Sequence, residues 1–311
     1  MKPICGNLCR STYSLRCLRQ IPCFQPLRQS FSSVTGTQKL LPHLHASQLE
    51  CSTRLEHVQA VSDALESRGV LKISLGFSDD DSQYLEQLVL SLHKHHGHRL
   101  PISHSASRGW FWDVRPSRAS TQTANHQARS ETMEEFAWHT DCSYEDPPPK
   151  YFALQVLQPD RFGGGILSLM DVQGLSERLS PETRLALARP EFRIATPPEF
   201  YKQNTHGHVT GGILSIDSDG QSVLRFRDDI ISALSSNASQ AIADLRRRLL
   251  TAATDSEVTI HLAAQDLPAR SIVLVNNRRW LHARTDVKDP ERHLRRIRWD
   301  PVPFPRLAHE T

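Results

Sequence analysis

Residues 134–149 read EEFAWHTDCSYEDPPP, and a single residue separates His139 from Asp141 in this stretch. The run that ends at Asp141 is predicted to be a short strand, in which alternate side chains point to the same face. An imidazole and a carboxylate on one face can bind the same metal ion. Because His-x-Asp pairs also arise by chance, a strand histidine held only by hydrogen bonds is the alternative interpretation.

A second stretch, residues 271–299, reads SIVLVNNRRWLHARTDVKDPERHLRRIRW. It predicts a strand at 271–275, a short turn, His282 and a final strand rich in arginine. A second histidine would complete the two-His, one-carboxylate set that binds iron(II) in non-haem oxygenases.

The final strand predicts a division of its side chains between two faces. Arg292, Leu294, Arg296 and Arg298 share one face, and His293, Arg295 and Ile297 share the other. An arginine that faces into a barrel is costly unless it meets a carboxylate, which a dicarboxylate co-substrate would supply. A solvated edge strand, whose charges prevent edge-to-edge pairing, is the alternative.

The rest of the chain predicts a mainly β protein with flanking helices. Apolar residues at helical spacing predict helices over 53–67, 79–95 and 235–250. Short apolar runs bounded by Gly, Pro, Asp and Asn predict the following strands: 69–77, 109–114, 134–141, 151–157, 164–172, 211–216, 223–227, 258–264, 271–277 and 292–299. Many short strands after N-terminal helices are typical of a jelly roll or barrel, here one domain over residues 50–311.

Taken together, these motifs resemble one family. His-Thr-Asp, a Gly-Gly strand, Asn-Arg-x-x-Leu-His-x-Arg and Arg-x-x-x-Arg follow one another as in the taurine dioxygenase/clavaminate synthase-like (TauD/TfdA) family. The resemblance covers roughly residues 69–299 and implies a double-stranded β-helix, or jelly roll. It implies three Fe(II) ligands, which are His139, Asp141 and His282. It also implies that Arg292 pairs with the far carboxylate of 2-oxoglutarate, and that Arg296 meets a substrate anion or the near end of this co-substrate.

The activity implied by the resemblance is a dioxygenase reaction that consumes O₂ and 2-oxoglutarate and releases succinate and CO₂. The substrate would be a small carboxylate-bearing molecule such as an amino acid derivative, which is hydroxylated, desaturated or cyclised. One position departs from the family pattern, because Ile166 stands where a threonine usually contacts 2-oxoglutarate. Ser168, two residues further on, is the predicted substitute.

The substrate pocket is predicted from residues 103–114, which read SHSASRGWFWDV. Arg108, Trp110 and Trp112 would share one strand face and, with Arg296, suit a small acid that has an apolar part. Core aromatic residues beside a surface arginine are the alternative interpretation.

Two other functions remain open on the sequence. The first is a non-catalytic jelly roll that binds a small acid, and the second is an iron oxygenase that does not use 2-oxoglutarate. Arg292 distinguishes the second from the leading hypothesis, because only a 2-oxoglutarate enzyme needs its guanidinium for the co-substrate.

Charge is uneven along the chain. Residues 1–49 contain six basic and no acidic residues, whereas the remainder has 31 basic and 34 acidic ones. The serine-rich, acid-free segment 1–40 is predicted to be a disordered leader with the character of a mitochondrial transit peptide; the alternative is a cytoplasmic protein with a basic tail. A small-molecule substrate is the expected partner. Neither nucleic acid nor membrane binding is predicted, and a homo-oligomer remains open.

Overall fold

The computed structural model of this protein describes residues 41–103, 109–116, 128–200 and 207–306. Fifteen strands lie within these ranges: β1 (His43–Ala46), β2 (Val70–Leu75), β3 (Phe111–Val114), β4 (Phe136–His139), β5 (Pro149–Gln158), β6 (Leu167–Asp171), β7 (Phe192–Ala195), β8 (His208–Gly211), β9 (Leu214–Ile216), β10 (Ser222–Leu224), β11 (Ile231–Ala233), β12 (Thr259–Leu262), β13 (Ser271–Asn276), β14 (Trp280–Arg284) and β15 (His293–Pro301). The helices in the same ranges are α1 (Leu55–Ser67), α2 (Gln83–His96), α3 (Val172–Glu177), α4 (Pro181–Ala188) and α5 (Ser236–Ala252).

Two sheets form the centre of the fold. The larger has the order β1-β2-β13-β5-β15-β3, and the smaller has the order β12-β6-β14-β4. A buried apolar cluster lies between them, and it includes Phe152 and Leu154 of β5 with Leu167 and Leu169 of β6. The prediction of a mainly β jelly roll with flanking helices is confirmed.

Strand β5 is mostly apolar between Tyr151 and Leu157, with the buried Gln155 as the exception, because both of its faces are covered. Phe152 and Leu154 point into the space between the sheets, whereas Tyr151 and Ala153 pack with helices α1 and α2 on the outer face. This division follows the two-residue period of a strand. A strand that is buried on both faces needs apolar residues at successive positions, so its sequence does not alternate.

The outer face of the smaller sheet is covered by α3, α4 and α5. Met170 and Leu281 of this sheet belong to one cluster with Leu245 and Leu249 of α5. Helix α5 begins after Ser235, whose Oγ accepts a hydrogen bond from the backbone N–H of Ala238 at 3.1 Å. Such a cap satisfies one of the free amides of the first turn, and the predicted helix over 235–250 is confirmed.

Some boundaries differ from the predictions for local reasons. Helix α2 begins at Gln83 rather than at residue 79, because the Asp79 carboxylate accepts hydrogen bonds from the amides of Gln83 and Tyr84. The predicted strand 211–216 is interrupted at Gly212, where a Cβ atom would lie 2.3 Å from the carbonyl oxygen of Ala188.

Several elements were not predicted, because their sequences are short or lack clear periodicity. They are β1, β7, β8, β11, β14, α3 and α4, of which β14 carries His282. Strand β1 pairs with β2 in parallel from His43 onward, so the larger sheet starts upstream of residue 50. Within the described residues, no helix is both long and apolar enough to cross a bilayer.

Candidate metal centre

Three side chains converge between the two sheets. His139 ends β4 and lies opposite His282 of β14 in the antiparallel pairing, which places both rings on one face with centroids 4.0 Å apart. Asp141 Oδ1 lies 3.9 Å from His139 Nε2 and 3.8 Å from His282 Nε2. One candidate ligand atom from each residue lies within 4.8 Å of the other two, and all three residues are buried.

Asp141 reaches this position from a turn and not from a strand. The predicted strand 134–141 ends at His139, because the segment that follows pairs with other groups. The amide of Thr140 donates to the Phe226 carbonyl, and the amide of Asp141 donates to Oδ1 of Asn277 at 2.7 Å. Nδ2 of Asn277 donates in return to the Asp141 carbonyl at 2.9 Å. A side chain from the β13–β14 connection therefore fixes the backbone of Asp141.

The donor set suits a divalent metal ion. Nδ1 of His139 is 2.7 Å from the Ala137 carbonyl, so that nitrogen carries the proton and Nε2 is free to bind a metal. Burial, together with the nearby His282, lowers the pKa of His139 well below its usual value. Burial by itself would raise the pKa of Asp141, but Arg296 and His282 hold it well below its usual value. Neutral imidazoles and an ionised carboxylate are the forms that bind metal.

A ligand atom of the cluster that has no hydrogen bond also fits a bound metal. Among the residues that the structure describes, Asp141 Oδ2 is a buried oxygen without a hydrogen-bond partner. A buried carboxylate oxygen without a donor is costly, and a bound cation would remove that cost. Two histidines and one carboxylate cover one face of an octahedron and leave the remaining positions for other ligands.

The arginines of β15 divide as the alternation predicts. Leu294 joins the cluster between the sheets, and Nη1 of Arg296 donates to Oδ1 of Asp141 at 3.0 Å from the same face. Arg295 points to the other face, where it bonds Asp113. The structure thus gives Arg296 a carboxylate partner within the chain, on a candidate metal ligand. From the sequence, Arg296 was instead predicted to meet a substrate anion or the near end of 2-oxoglutarate.

Arg292 ends a narrow apolar pocket between the sheets. Its side chain is buried, and Nη1 has no hydrogen-bond partner within the described part of the chain. The pocket, counted together with the solvent at its mouth, has an empty volume of about 380 Å³, and its apolar lining residues include Leu154, Leu167, Val273 and Leu294. Burial, with a contribution from Arg284, lowers the pKa of Arg292 to about 10, so the guanidinium stays charged at neutral pH.

Gly165 is part of the same pocket. It adopts φ +62°, and a Cβ atom at this position would lie 2.7 Å from Nε of Arg292. The Gly-Gly element of the motif therefore lets the backbone lie directly against the guanidinium.

Ser168 was predicted to contact the co-substrate, but the structure places its side chain away from the space between the sheets. Leu167 and Leu169 face the space between the sheets, so Ser168 points to the outside of β6. There its Oγ is 2.7 Å from Nδ1 of His261 on the neighbouring strand β12. A one-residue change of register moves a strand side chain to the other face, and the residue aligned with the missing threonine was chosen on that incorrect face.

The predicted substrate residues are only partly brought together. Trp112 pairs with Arg296 across β3 and β15 and packs between the sheets, 6.3 Å from the Phe200 ring. Trp110 precedes β3 and packs against the outer helical cluster, so it does not share the face of Trp112 as predicted. The strand period does not extend to Trp110, because β3 begins at Phe111. Arg108 lies outside the described residues.

Four buried arginines contact the turn that carries Asp141. Two of them were named from the sequence: Arg296 as a site residue, and Arg298 as a residue on the same strand face. Arg225 donates to the carbonyls of Ser143 and Glu145, and Arg278 donates to the carbonyl of Pro148. The other two are Arg296, on Asp141, and Arg298, on Cys142. Arg225 and Arg278 come from other parts of the chain: Arg225 lies in the predicted strand 223–227, and Arg278 is the first arginine of the Asn-Arg-x-x-Leu-His-x-Arg motif, but neither was assigned a role from the sequence.

Comparison with known proteins agrees with this geometry. The model of the family described as Taurine catabolism dioxygenase TauD, TfdA family matches residues 37–298. Glutarate 2-hydroxylase of Citrobacter koseri (strain ATCC BAA-895 / CDC 4225-83 / SGSC4696) is 26% identical over 161 residues, which are 51% of this chain and 45% of the relative. The chain therefore matches less than half the length of that relative.

Solved structures of two iron oxygenases share the fold. Asparagine oxygenase, in complex with Fe(II), 2S,3S-3-hydroxyasparagine and succinate, has a TM-score of 0.61 at 17% identity, over 80% of this chain and 82% of its own. The non-heme iron oxygenase OrfP, in complex with Fe and alpha-ketoglutaric acid, has a TM-score of 0.61 at 16% identity, over 82% and 84%.

Proposed function

Because the chain belongs to the taurine catabolism dioxygenase TauD, TfdA family, we propose that it is an Fe(II)- and 2-oxoglutarate-dependent dioxygenase. Its substrate is a small carboxylate-bearing molecule such as an amino acid derivative. The outcome is hydroxylation, desaturation or ring closure. When bound, iron and 2-oxoglutarate supply the oxidising chemistry with O₂ and leave succinate and CO₂.

One observation carries this proposal. The His139–Asp141–His282 cluster and the Arg292 guanidinium, whose Nη1 has no hydrogen-bond partner among the described residues, lie on the same inner face of the two sheets. Phe152 belongs to the apolar cluster that includes Leu154 and Leu294 of the Arg292 pocket, and its ring lies 4.5 Å from that of His282. A molecule with a metal-chelating end and a distant carboxylate is complementary to this arrangement.

The proposed role of each residue follows from its position in the site. His139, Asp141 and His282 would hold the metal, and Asn277 and Arg296 keep Asp141 oriented towards it. Arg292 would bind the far carboxylate of the co-substrate in a pocket whose apolar walls exclude water and strengthen the ion pair.

The test is spectroscopic. Fe(II) and 2-oxoglutarate are added to the full chain without oxygen, and the charge-transfer absorption of an iron-chelated keto acid is recorded. The band is expected in the native protein, absent in His139→Ala, and formed only at much higher 2-oxoglutarate concentration in Arg292→Ala. Arg295→Ala, one strand position from Arg296 but on the outer face, is the matched control. No band at stoichiometric iron would refute the co-substrate assignment.

We also propose an organisation for the rest of the chain, with a leader over 1–40 and the oxygenase domain over 50–311, preceded by β1. The acid-free, Arg- and Ser-rich composition of residues 1–40 supports a mitochondrial targeting function. Residues 1–40 fused to a fluorescent reporter should direct it to mitochondria, and a fusion with the basic residues of 1–40 replaced by glutamine should not. Cytosolic fluorescence from the unmodified fusion would refute targeting.

A further inference from the structure

A second pocket opens beside the candidate metal centre and is not the one that ends at Arg292. Its cavity volume is about 560 Å³, which is ample for a small organic acid. Its charged and polar lining residues include Arg129, Glu134, Thr196, Glu199, Arg227 and Asp229.

Arg227 connects this pocket to the metal ligands. It forms an antiparallel bridge with His139, and residues opposite each other in such a bridge point to the same face. The Arg227 guanidinium lies 5.4 Å from the centre of the Phe136 ring, and that ring stacks on the His139 imidazole. The pocket thus adjoins the inner face on which the triad lies.

The hydrogen bonds of Arg227 leave one edge of its guanidinium available. Nε and Nη2 donate to the two carboxylate oxygens of Asp229 at 2.8 and 2.9 Å. Nη1 is not used in this pair. The edge formed by Nη1 and Nη2 can therefore donate two parallel hydrogen bonds to a second carboxylate, in the bidentate geometry of arginine. The Asp229 side chain is 48% exposed and can still accept a hydrogen bond from a ligand.

The charges of the pocket select against a ligand that is only anionic. Glu134, Glu199 and Asp229 outnumber Arg129 and Arg227. Arg129 is paired with Glu134 at 2.9 Å, and among the described residues Glu199 has no ion-pair partner. A dicarboxylate would place its second charge near the unpaired Glu199 and the partly exposed Asp229 carboxylate, which is unfavourable.

We propose that the Arg227–Asp229 pair binds the head group of a zwitterionic substrate, an α-amino acid or a close derivative. The carboxylate lies on the outer edge of Arg227, and the ammonium group lies between Asp229 and Glu199. Adjacent positive and negative groups of the protein match the adjacent carboxylate and ammonium of an amino acid. This inference rests on the dioxygenase function proposed above and defines its substrate class.

The experiment measures binding without turnover. The full chain is loaded with Fe(II) and 2-oxoglutarate in the absence of oxygen, and the charge-transfer band is followed while each of the common L-amino acids, and separately glutarate, is added. At least one amino acid is expected to perturb the band, and glutarate is not. Asp229→Asn should weaken the response of that amino acid by roughly 10- to 100-fold, as expected for loss of a charged hydrogen bond.

The neighbouring residue Asp228 provides a matched control. It pairs with Arg246 on the surface and does not line the pocket, so Asp228→Asn should leave the amino acid response unchanged. Arg227→Lys keeps the positive charge, but a lysine cannot bind Asp229 and the ligand carboxylate through two separate edges. It should therefore weaken amino acid binding while the 2-oxoglutarate band still forms.

The outcomes separate this inference from the function on which it rests. A normal band that responds to glutarate but to no amino acid, or to neither, would overturn the zwitterion assignment and leave the dioxygenase function intact. Equal effects of Asp228→Asn and Asp229→Asn would also overturn it. Failure of 2-oxoglutarate to give any band would overturn the proposed function and this inference with it.

Discussion

Arg296 donates a hydrogen bond from Nη1 to Oδ1 of Asp141 over 3.0 Å, with both side chains buried between the two sheets. The strand that was predicted to present its arginines to small anions therefore also supports a candidate metal ligand. A hydrogen bond from a neighbouring side chain to a metal ligand orients that ligand and keeps it in its metal-binding form.

Replacing Arg296 should weaken iron binding. Arg296→Met keeps much of the volume but leaves Asp141 without its charged partner, so Fe(II) affinity should fall roughly 10- to 100-fold. Competition with a chromophoric chelator measures this affinity. Arg295→Met, on the opposite face of β15, should bind iron as the native protein does. Equal iron affinity in both variants would show that Arg296 does not support Asp141.

Gly165 should be needed for co-substrate binding. In Gly165→Ala the new Cβ would lie 2.7 Å from Nε of Arg292, so the guanidinium must move and the dissociation constant for 2-oxoglutarate should rise at least about tenfold. Gly163 is the control, because it also has positive φ but a Cβ there would contact nothing within 4 Å. Gly163→Ala should show the backbone strain in its thermal stability and leave 2-oxoglutarate affinity unchanged.

Ser168 should not be needed for co-substrate binding. Its hydroxyl is bonded to His261 on the outer face of β6, so Ser168→Ala should leave the 2-oxoglutarate dissociation constant unchanged. The lost hydrogen bond should cost about 1 kcal/mol of stability. Titration of the charge-transfer band and urea unfolding measure the two effects. A large loss of 2-oxoglutarate affinity would contradict the outward placement of this side chain.

Stability should decrease in mild acid because of two buried histidines far from the metal centre. Burial, with the nearby Arg54, lowers the pKa of His57 to about 4, and burial likewise lowers the pKa of His98 to about 4. Both are neutral in the folded protein: His57 is 2.6 Å from the Tyr84 hydroxyl, and Trp299 donates to His98 Nδ1.

Their contribution to stability is complete above the unfolded-state pKa of about 6.5 and is lost as the pH falls towards 4. Each histidine would contribute at most about 3 kcal/mol to this loss. Urea unfolding at several pH values between 7 and 4 measures it. His57→Gln should reduce the slope of stability against pH, and an unchanged slope would show that His57 is not the titrating group.

Local patterns of apolar residues in the sequence predicted much of the fold. The largely apolar sequence of β5 and the helical spacing of α5 follow directly from which faces of each element are covered. The elements that escaped prediction, such as β1 and β7, have four residues each, and they are strands because a neighbouring strand offers hydrogen bonds.

Within the candidate site, the sequence by itself determined which residues are chemically suited to hold a metal and a dicarboxylate. His139 and Asp141 could be paired because their one-residue spacing is a local property, whereas His282 and Arg292 were named through the order and spacing of the motifs that resemble the family.

Only the tertiary structure decided which other side chains meet them. Arg225 and Arg278 lie far along the chain from the turn that they hold, and Ser168 was assigned to the wrong face because a shift of one residue reverses the direction of every side chain in a strand. Arg227 becomes a neighbour of His139 through a single backbone bridge between segments nearly ninety residues apart. Such contacts depend on how sheets pair in space, and the sequence near each residue carries no record of that pairing.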